Sequence, residues 1–392
     1  METKISKGVV VIDGHVQGLA LTRSLGEQGI PVIIVDRNEF AIARYSKYCK
    51  GFYRSPDYLA DNFVDFLIGL IKKEDLKDWV LIPCDDHIVF SISKRKKDLE
   101  MVYKVITVDF EILQNIINKR NLFNLADSCQ LPVIKTIYPQ SSKLTDHNVN
   151  TLRFPLLLKG IEGQTFYKKS NSKAFKVSNA VELNTVLESL SVKMRLDEIM
   201  IQEMIPLGEQ NKVISYTAFC VDGNVFTYWI GQKIREHPIF FGTATCSQSI
   251  YLPVIHENAV KLIKKLKYTG VCEIEFLLDP RDQQYYLIEI NPRTWLWVGL
   301  AKACGIDYAL MIYNYLNNKP QTFPSKYKSG IYWKNEITDL IFTITGLLTR
   351  KISFKSYLNH LFQAKIKALY QKGDRKPFWM FLFLLPYIYS KR

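Results

Sequence analysis

The chain has 392 residues, more than one small hydrophobic core can organise, so two or three structural units are expected. Hydrophobic residues make up 47% and aromatic residues 13% of the sequence, which excludes an intrinsically disordered protein. Of the net charge of +14, +11 falls in residues 319–392, where 14 Lys or Arg accompany three acidic residues. A segment this basic indicates a phosphate-bearing partner, an anionic membrane, or a solvated helical surface.

The cysteines and the N-terminus favour a reducing compartment. Seven cysteines stand singly, and no CxxC or CxH spacing indicates a zinc site or a disulfide framework. METKISKG leads directly into an apolar run, so we expect no signal peptide. We therefore expect a cytoplasmic protein.

The N-terminal part predicts a doubly wound α/β domain. The apolar runs GVVVID, residues 8–13, and PVIIVD, residues 31–36, predict buried parallel strands joined by a helix with regularly spaced leucines. Gly14 and Gly18 follow the first run with a GxxxG spacing, which differs from the dinucleotide fingerprint. We interpret these glycines as close helix–strand packing, with a nicotinamide or flavin site, in which Asp36 would bind the ribose, as the remote alternative.

The apolar segment 79–92 predicts a further buried strand, which ends in Cys84, Asp85, Asp86 and His87. Ligands of open α/β sheets lie outside the carboxyl ends of the strands, so these side chains can face a substrate. Asp is also favoured at helix N-caps, so the same residues can instead begin a helix. Both interpretations stay open.

The middle of the chain predicts an α+β region. Two helices are expected on either side of residue 119, a strand at residues 153–160, and a glycine-bearing polar loop at residues 161–171. Two runs of alternating apolar residues, 214–238 and 271–295, predict hairpins, the first around the turn sequence DGN.

The second hairpin carries an unusual group of polar residues. Glu289, Asn291 and Arg293 are spaced i, i+2, i+4 and therefore share one face of an extended strand, while Glu273 and Glu275 lie on the partner strand. Carboxylates placed opposite each other repel unless a cation neutralises them. Carboxylate and amide oxygens are the ligands that Mg²⁺ prefers, often with substrate phosphates, so this hairpin predicts a metal site.

The pair of motifs EIEF and IEINPR resembles the ATP-grasp superfamily, specifically its carboxylate–amine ligase branch. The likeness extends in the expected order over about residues 1–318. It implies two Mg²⁺ ions, one held by Glu275 and Glu289 and the other by Glu289 and Asn291, with Mn²⁺ as an alternative metal. It also implies that Arg293 faces the transferred phosphoryl group or the acyl phosphate.

Other motifs resemble the ATP-contacting segments of the same superfamily, although Asn118 stands where the family usually has Asp. By this resemblance the phosphates are contacted by Lys119 in NKRNLF, Lys159 in FPLLLKG, and Lys233 and Arg235 in GQKIREHP. In IQEMIPLGE, Glu203 and Ile205 would take the adenine and Glu209 the ribose, with Gln210 as the alternative ribose ligand.

The resemblance implies three domains and an activity. These are an N-terminal doubly wound α/β domain at 1–108, an ATP-grasp domain of two α+β subdomains at 109–318, and a basic amphipathic helical extension at 319–392. The implied enzyme is a ligase in which a carboxylate attacks the γ-phosphate of Mg-ATP, and an amine then displaces phosphate from the acyl phosphate. The carboxylate and the amine are small molecules, with an amino acid expected among them and no nucleic acid.

Two other functions share this scaffold. One is a phosphotransferase or carbamoyl-phosphate-type enzyme, which stops at a phosphorylated product. The other is a non-catalytic ATP-binding sensor, which has less need of the complete set Glu275, Glu289, Asn291 and Arg293.

The C-terminal extension contains a 12-residue apolar run, residues 378–389, interrupted by Pro386. This run is too short to cross a bilayer, which takes about 20 residues. We expect the extension to pack on the ATP-binding part, with peripheral contact to an anionic membrane or formation of a homodimer as alternatives.

Overall fold

The computed structural model describes residues 7–139, 151–206, 213–237, 242–348 and 364–390 of the chain. The predicted α/β class is confirmed. The chain forms two compact units, of which the first contains Met1–Leu113, Ile214–Glu273 and Asn291–Arg392, and the second Gln114–Val213 and Ile274–Ile290. The division into 1–108, 109–318 and 319–392 stays a prediction.

A five-stranded parallel sheet belongs to the first unit. Its elements are β1 Val9–Ile12, α1 Val16–Glu27, β2 Val32–Asp36, β3 Cys49–Arg54, α2 Phe63–Glu74, β4 Val80–Pro83, α3 Asp86–Lys94, α4 Lys96–Glu100 and β5 Lys104–Val105. The strand order is β3-β2-β1-β4-β5, and all neighbours are parallel. The order reverses between β1 and β4, which makes this the predicted doubly wound sheet and places a topological switch point there.

The glycines after β1 are required by close packing. A side chain on Gly18 would place its Cβ 2.1 Å from the carbonyl oxygen of Asp13. The Gly14 N–H donates to the Asp36 carboxylate at 2.7 Å, and the Tyr58 hydroxyl donates to the same carboxylate at 3.2 Å. The packing interpretation is therefore confirmed, and Asp36 is bonded to the turn.

A four-stranded antiparallel sheet belongs to the second unit. The elements of this part of the chain are α5 Phe110–Ile117, which begins in the first unit, α6 Lys119–Ser128, β6 Thr136–Ile137, β7 Leu156–Gly160, α7 Gly163–Ser170, β8 Phe175–Val177, α8 Ala180–Ser191 and β9 Ile199–Glu203. The strand order is β6-β9-β7-β8, with antiparallel neighbours. One face of the sheet buries an apolar core between β7, β9, α7 and α8.

The polar loop predicted at residues 161–171 is wrong, because helix α7 lies there. Phe166 explains the difference. Its side chain is buried in the core of the second unit, and a Cβ on Gly160 would lie only 2.2 Å from the Cβ of Phe166. Burial of one aromatic side chain stabilises a helix that the polar local sequence does not predict.

A seven-stranded sheet contains both predicted hairpins. Its strands and the neighbouring helices are β10 Val213–Val221, β11 Asn224–His237, β12 Thr243–Ser249, α9 Val254–Leu266, β13 Gly270–Asp279, β14 Gln284–Asn291, α10 Val298–Ala303, α11 Tyr308–Leu316, β15 Tyr332–Lys334, α12 Glu336–Leu348 and β16 Ala364–Lys367. The order is β14-β13-β10-β11-β12-β15-β16. The turn between β10 and β11 has positive φ at Asp222 and Gly223, 48° and 76°, as a two-residue hairpin requires.

The C-terminal extension is not purely helical. Besides α12 it contains the helices α13 Lys376–Phe383 and α14 Leu385–Ser390, but β15 pairs with the edge strand β12, and β16 pairs with β15. An open sheet edge offers unpaired backbone groups, and these strands cover it. No helix in the described residues is long and apolar enough to span a bilayer. Cytoplasmic location, membrane contact and dimer formation stay predictions.

Candidate active site

Two lysines and a glutamate from three distant parts of the sequence meet in the second unit. Lys119 is the first residue of α6, a helix that begins where the Asn118 side chain accepts the N–H of Asn121 at 3.1 Å. Its Nζ lies 3.3 Å from Oε2 of Glu289 on β14. Lys159 points from β7, where its Nζ donates to Oε1 of Gln202 at 3.1 Å. The structure thus brings together Lys119, Lys159 and Glu289, which the sequence predicted separately.

Lys159 has a lowered pKa. Burial of the ammonium group, followed by repulsion from Lys119, lowers the pKa of Lys159 to about 8, and attraction to Glu289 opposes this shift. Two neighbouring cations beside one carboxylate leave a net positive charge here, and the contact of Lys119 and Lys159 with phosphate stays a prediction.

A buried glutamate orients the predicted metal ligand Asn291. The Nδ2 of Asn291 donates to Oε2 of Glu273 at 3.0 Å, and the Ser215 hydroxyl donates to Oε1 of Glu273 at 2.7 Å. Because a carboxylate only accepts hydrogen bonds, Asn291 turns its NH₂ group toward Glu273, and its carbonyl oxygen accepts from Nη2 of Arg293 at 3.4 Å. Sequence reasoning assigned no role to Glu273, although its i, i+2 spacing from Glu275 indicated a shared face.

Arg293 is held by Asp86, at the carboxyl edge of the parallel sheet. Nε and Nη2 of Arg293 donate to the two carboxylate oxygens of Asp86 at 2.8 and 3.0 Å. Burial lowers the pKa of Arg293, but the charge and hydrogen bonds of Asp86 raise it more, so the guanidinium stays protonated. Such a two-bond pair fixes the plane of the guanidinium.

The structure bears on both interpretations of the polar residues after β4, helix capping and substrate contact. Asp85 is the N-cap of α3 and accepts the N–H of His87 at 2.8 Å, which confirms the helix-capping interpretation for this residue. Asp86 begins the helix and binds Arg293. A substrate contact of Asp85, Asp86 or His87 stays a prediction.

The predicted adenine residues lie at the end of β9. The Glu203 carboxylate accepts a hydrogen bond from the backbone N–H of Arg153 at 3.1 Å and lies 3.9 Å from Nη2 of Arg281. Ile205 is buried two residues further on. Their contact with adenine stays a prediction, and Glu209 and Gln210 lie outside the described residues.

Lys233 and Arg235 lie on β11, where the pairing with β12 shifts register between them, and Arg235 has a protein partner. Its guanidinium donates to both oxygens of Asp339 on α12 at 2.8 Å. The pair attaches α12 to the sheet and neutralises Arg235. Contacts of Lys233 and Arg235 with phosphate stay predictions.

The donor set of the predicted metal site fits a hard cation. The described residues contain no group of three or more His, Cys, Asp or Glu side chains placed to hold a metal. The expected donors are two carboxylates, Glu275 and Glu289, and the amide oxygen of Asn291. Mg²⁺ completes such a set with water and phosphate oxygens, and the orientation that Glu273 imposes on Asn291 suits this role.

Comparison with known proteins agrees with this architecture. The family model described as carbamoyl-phosphate synthase L chain, ATP binding domain, matches residues 243–314. The D-aspartate ligase of Enterococcus faecium (strain Aus0004) is 23% identical over 303 residues, which cover 68% of this chain and 72% of that protein.

Solved structures have the same fold. N5-carboxyaminoimidazole synthetase from Staphylococcus aureus superposes with a TM-score of 0.65 at 16% identity, over 84% of this chain and 82% of that chain. The L-amino acid ligase from Bacillus licheniformis superposes with a TM-score of 0.62 at 16% identity, over 84% and 79% of the two chains. The chain thus has the fold of these solved structures, and its sequence is similar to that of a D-aspartate ligase, in line with the predicted resemblance to the ATP-grasp superfamily.

Proposed function

We propose that the protein is an ATP-dependent carboxylate–amine ligase that forms an amide through an acyl phosphate and releases ADP and phosphate. We further propose that an amino acid is one of its substrates. This second point is supported by the substrates that the names of two similar proteins give, a D-aspartate ligase and an L-amino acid ligase.

The observation that carries the proposal is the meeting of Lys119 and Lys159 at Glu289. A lysine that ends an apolar strand is costly to bury unless an anion accompanies it. Here burial and a second lysine already lower the pKa of Lys159, and bound phosphate oxygens would stabilise both ammonium groups. This charge supports the proposal that Lys119 and Lys159 hold the polyphosphate of ATP beside Glu289.

The reaction has two balanced steps. An oxygen of the substrate carboxylate forms a bond with the γ-phosphorus, and the bond from that phosphorus to the oxygen of ADP breaks. The amine nitrogen then bonds to the acyl carbon, the acyl carbon–oxygen bond breaks, phosphate leaves, and the nitrogen loses a proton. No covalent bond to a protein side chain is needed.

The chain's own residues position these groups. Lys119, Lys159 and Lys233 would hold the phosphates, and Glu203 with the backbone at Ile205 would hold the adenine. Arg293, whose plane is set by Asp86, would contact the transferred phosphoryl group and the acyl phosphate.

Glu275, Glu289 and Asn291 would hold two Mg²⁺ ions, with Mn²⁺ as a substitute. When bound, these ions would neutralise charge on the polyphosphate.

The test is nucleotide turnover with hydroxylamine as the acceptor amine. The protein is incubated with Mg-ATP and separate pools of D-amino acids, L-amino acids and sugar acids, and ADP, AMP and hydroxamate are measured. Carboxylate-dependent ADP together with a hydroxamate is expected. AMP instead of ADP would contradict the acyl-phosphate route, and a released phosphorylated product without hydroxamate would favour a phosphotransferase.

A further inference from the structure

Helix α13 carries two exposed aromatic side chains on one face. Trp379 and Phe383, one turn apart, are 53% and 76% exposed, although both are large and apolar. On the opposite face of the helix Pro377 and Phe381 are buried, and Phe381 belongs to the hydrophobic core of the first unit. Packing against the protein therefore accounts for one side of α13 and leaves the other side unexplained.

The helix is firmly attached to the parallel-sheet region. Asp374, just before α13, accepts hydrogen bonds from Nε of Arg23 at 2.9 Å, the Ser46 hydroxyl at 2.7 Å and the Lys47 N–H at 2.8 Å. The Arg23 guanidinium also donates to the carbonyl oxygen of Leu369 at 2.8 Å. The orientation of the exposed face is thus fixed within its own unit.

The acidic residues of the extension are used inside the protein. Asp374 binds Arg23 and Asp339 binds Arg235. Glu336 accepts the backbone N–H groups of residues 369 and 370, at 3.1 and 2.8 Å. These are the three acidic residues of 319–392. The outward charge of the described extension is consequently positive.

Three exposed cations lie at the N-terminal end of the aromatic face. Lys372, Arg375 and Lys376 are exposed, and Arg375 and Lys376 precede Trp379 by four and three residues, so they lie beside it on the helix surface. We define Lys372, Arg375, Lys376, Trp379 and Phe383 as the α13 face. Cations attract anionic headgroups, and a Trp–Phe pair inserts at the boundary between headgroups and acyl chains.

We propose that the α13 face docks the enzyme onto the surface of an anionic lipid bilayer. The charge of the face is complementary to such a surface, and the attached helix presents its cations and its aromatic rings together. The contact is peripheral, because α13 has eight residues and lies partly in the protein core. This proposal is independent of the substrate of the ligase.

The test is co-sedimentation of the full chain with two kinds of vesicle. One is phosphatidylcholine alone, and the other is phosphatidylcholine mixed with phosphatidylglycerol. Binding to the anionic vesicles, weakened by added salt, is expected, with little binding to the neutral ones. The double variant Trp379→Ser/Phe383→Ser and the triple variant Lys372→Gln/Arg375→Gln/Lys376→Gln should each lower partitioning by about tenfold.

The matched control is Val192→Ser, which removes an apolar side chain that is 87% exposed in the second unit. It should bind vesicles like the unaltered protein, and all variants should keep their thermal midpoint and ATP turnover. Absence of wild-type binding to anionic vesicles would overturn the proposal, as would equal binding by the variants. A homodimer seen by light scattering that dissociates in the Trp379→Ser/Phe383→Ser variant, without vesicle binding, would assign the face to self-association instead.

Discussion

Two ion pairs of this protein, Arg23–Asp374 and Lys119–Glu289, differ in how far they are exposed to solvent. Arg23 and Asp374 are 7% and 1% exposed, lie 2.9 Å apart, and have further hydrogen bonds from neighbouring groups. Lys119 and Glu289 are 18% and 37% exposed and lie 3.3 Å apart. The first pair, which we call closed, is buried and hydrogen-bonded to further protein groups, as expected of a pair that stabilises the fold. The second pair, which we call accessible, is partly exposed and can be reached by a ligand. We therefore expect Lys119 and Glu289 to change partners when a ligand binds, and Arg23 and Asp374 to stay paired.

The largest expected effect concerns the closed pair. Asp374→Ala leaves the Arg23 guanidinium buried without its counterion, and should lower the free energy of unfolding by about 3–5 kcal/mol. Urea denaturation measures this. The matched control is Asp57→Ala, which removes an exposed partner of Arg37 and should cost less than about 1 kcal/mol. Equal losses in the two variants would remove the distinction between closed and accessible pairs.

For the accessible pair Lys119–Glu289 we expect a large effect on turnover and a small effect on stability. Glu289→Gln removes the carboxylate next to Lys119 and should lower kcat/KM for Mg-ATP by about a hundredfold or more, while the unfolding midpoint changes little. The steady-state rate of ADP formation and thermal melting are measured together. Glu188→Gln, at an exposed position on α8, serves as the control. Turnover near the wild-type level in Glu289→Gln would contradict the metal assignment.

An intermediate effect is expected for Asp86→Asn, which keeps the shape of the side chain but weakens its hold on Arg293. If Asp86 positions Arg293 for phosphoryl transfer, kcat should fall by about tenfold with a smaller change in KM for ATP. A rise in KM alone would assign Asp86 to substrate or nucleotide binding. Thermal melting distinguishes both outcomes from a folding defect.

The smallest effect is a pH dependence. Because the pKa of Lys159 is lowered to about 8, the protein without bound nucleotide loses this positive charge as the pH rises through 8. We expect kcat/KM for ATP to fall on the alkaline side of pH 8, and Lys159→Arg to remove this limb because arginine stays charged. The profile is measured at constant ionic strength. An unchanged alkaline limb in Lys159→Arg would assign that limb to another group.

Much of the fold could be predicted because local patterns and tertiary structure agree. The strands of the parallel sheet are continuous apolar runs, and the DGN turn has residues suited to positive φ. The group Glu289, Asn291 and Arg293 could be recognised in the sequence because period-two spacing places these residues on one face of a strand in any surroundings, and its metal binding stays a prediction.

Other features depended on contacts between distant segments. Helix α7 exists because Phe166 finds a buried position, and strands β15 and β16 exist because β12 offers an open edge. The local sequence shows neither the core around Phe166 nor the open edge of β12. The pairing of Arg235 with Asp339 has the same origin, since the two residues lie 104 positions apart.

The sequence by itself determined the element types, the carboxylate–amide–arginine motif and the concentration of positive charge near the C-terminus, because each depends on composition or on spacing within one element. Only the tertiary structure decided which charges are neutralised and which stay accessible. It turned the three acidic residues of the extension inward, lowered the pKa of Lys159, and set Glu273 against Asn291 and Asp86 against Arg293. Burial and Coulomb interactions depend on distances between groups far apart in the chain, and folding alone sets those distances.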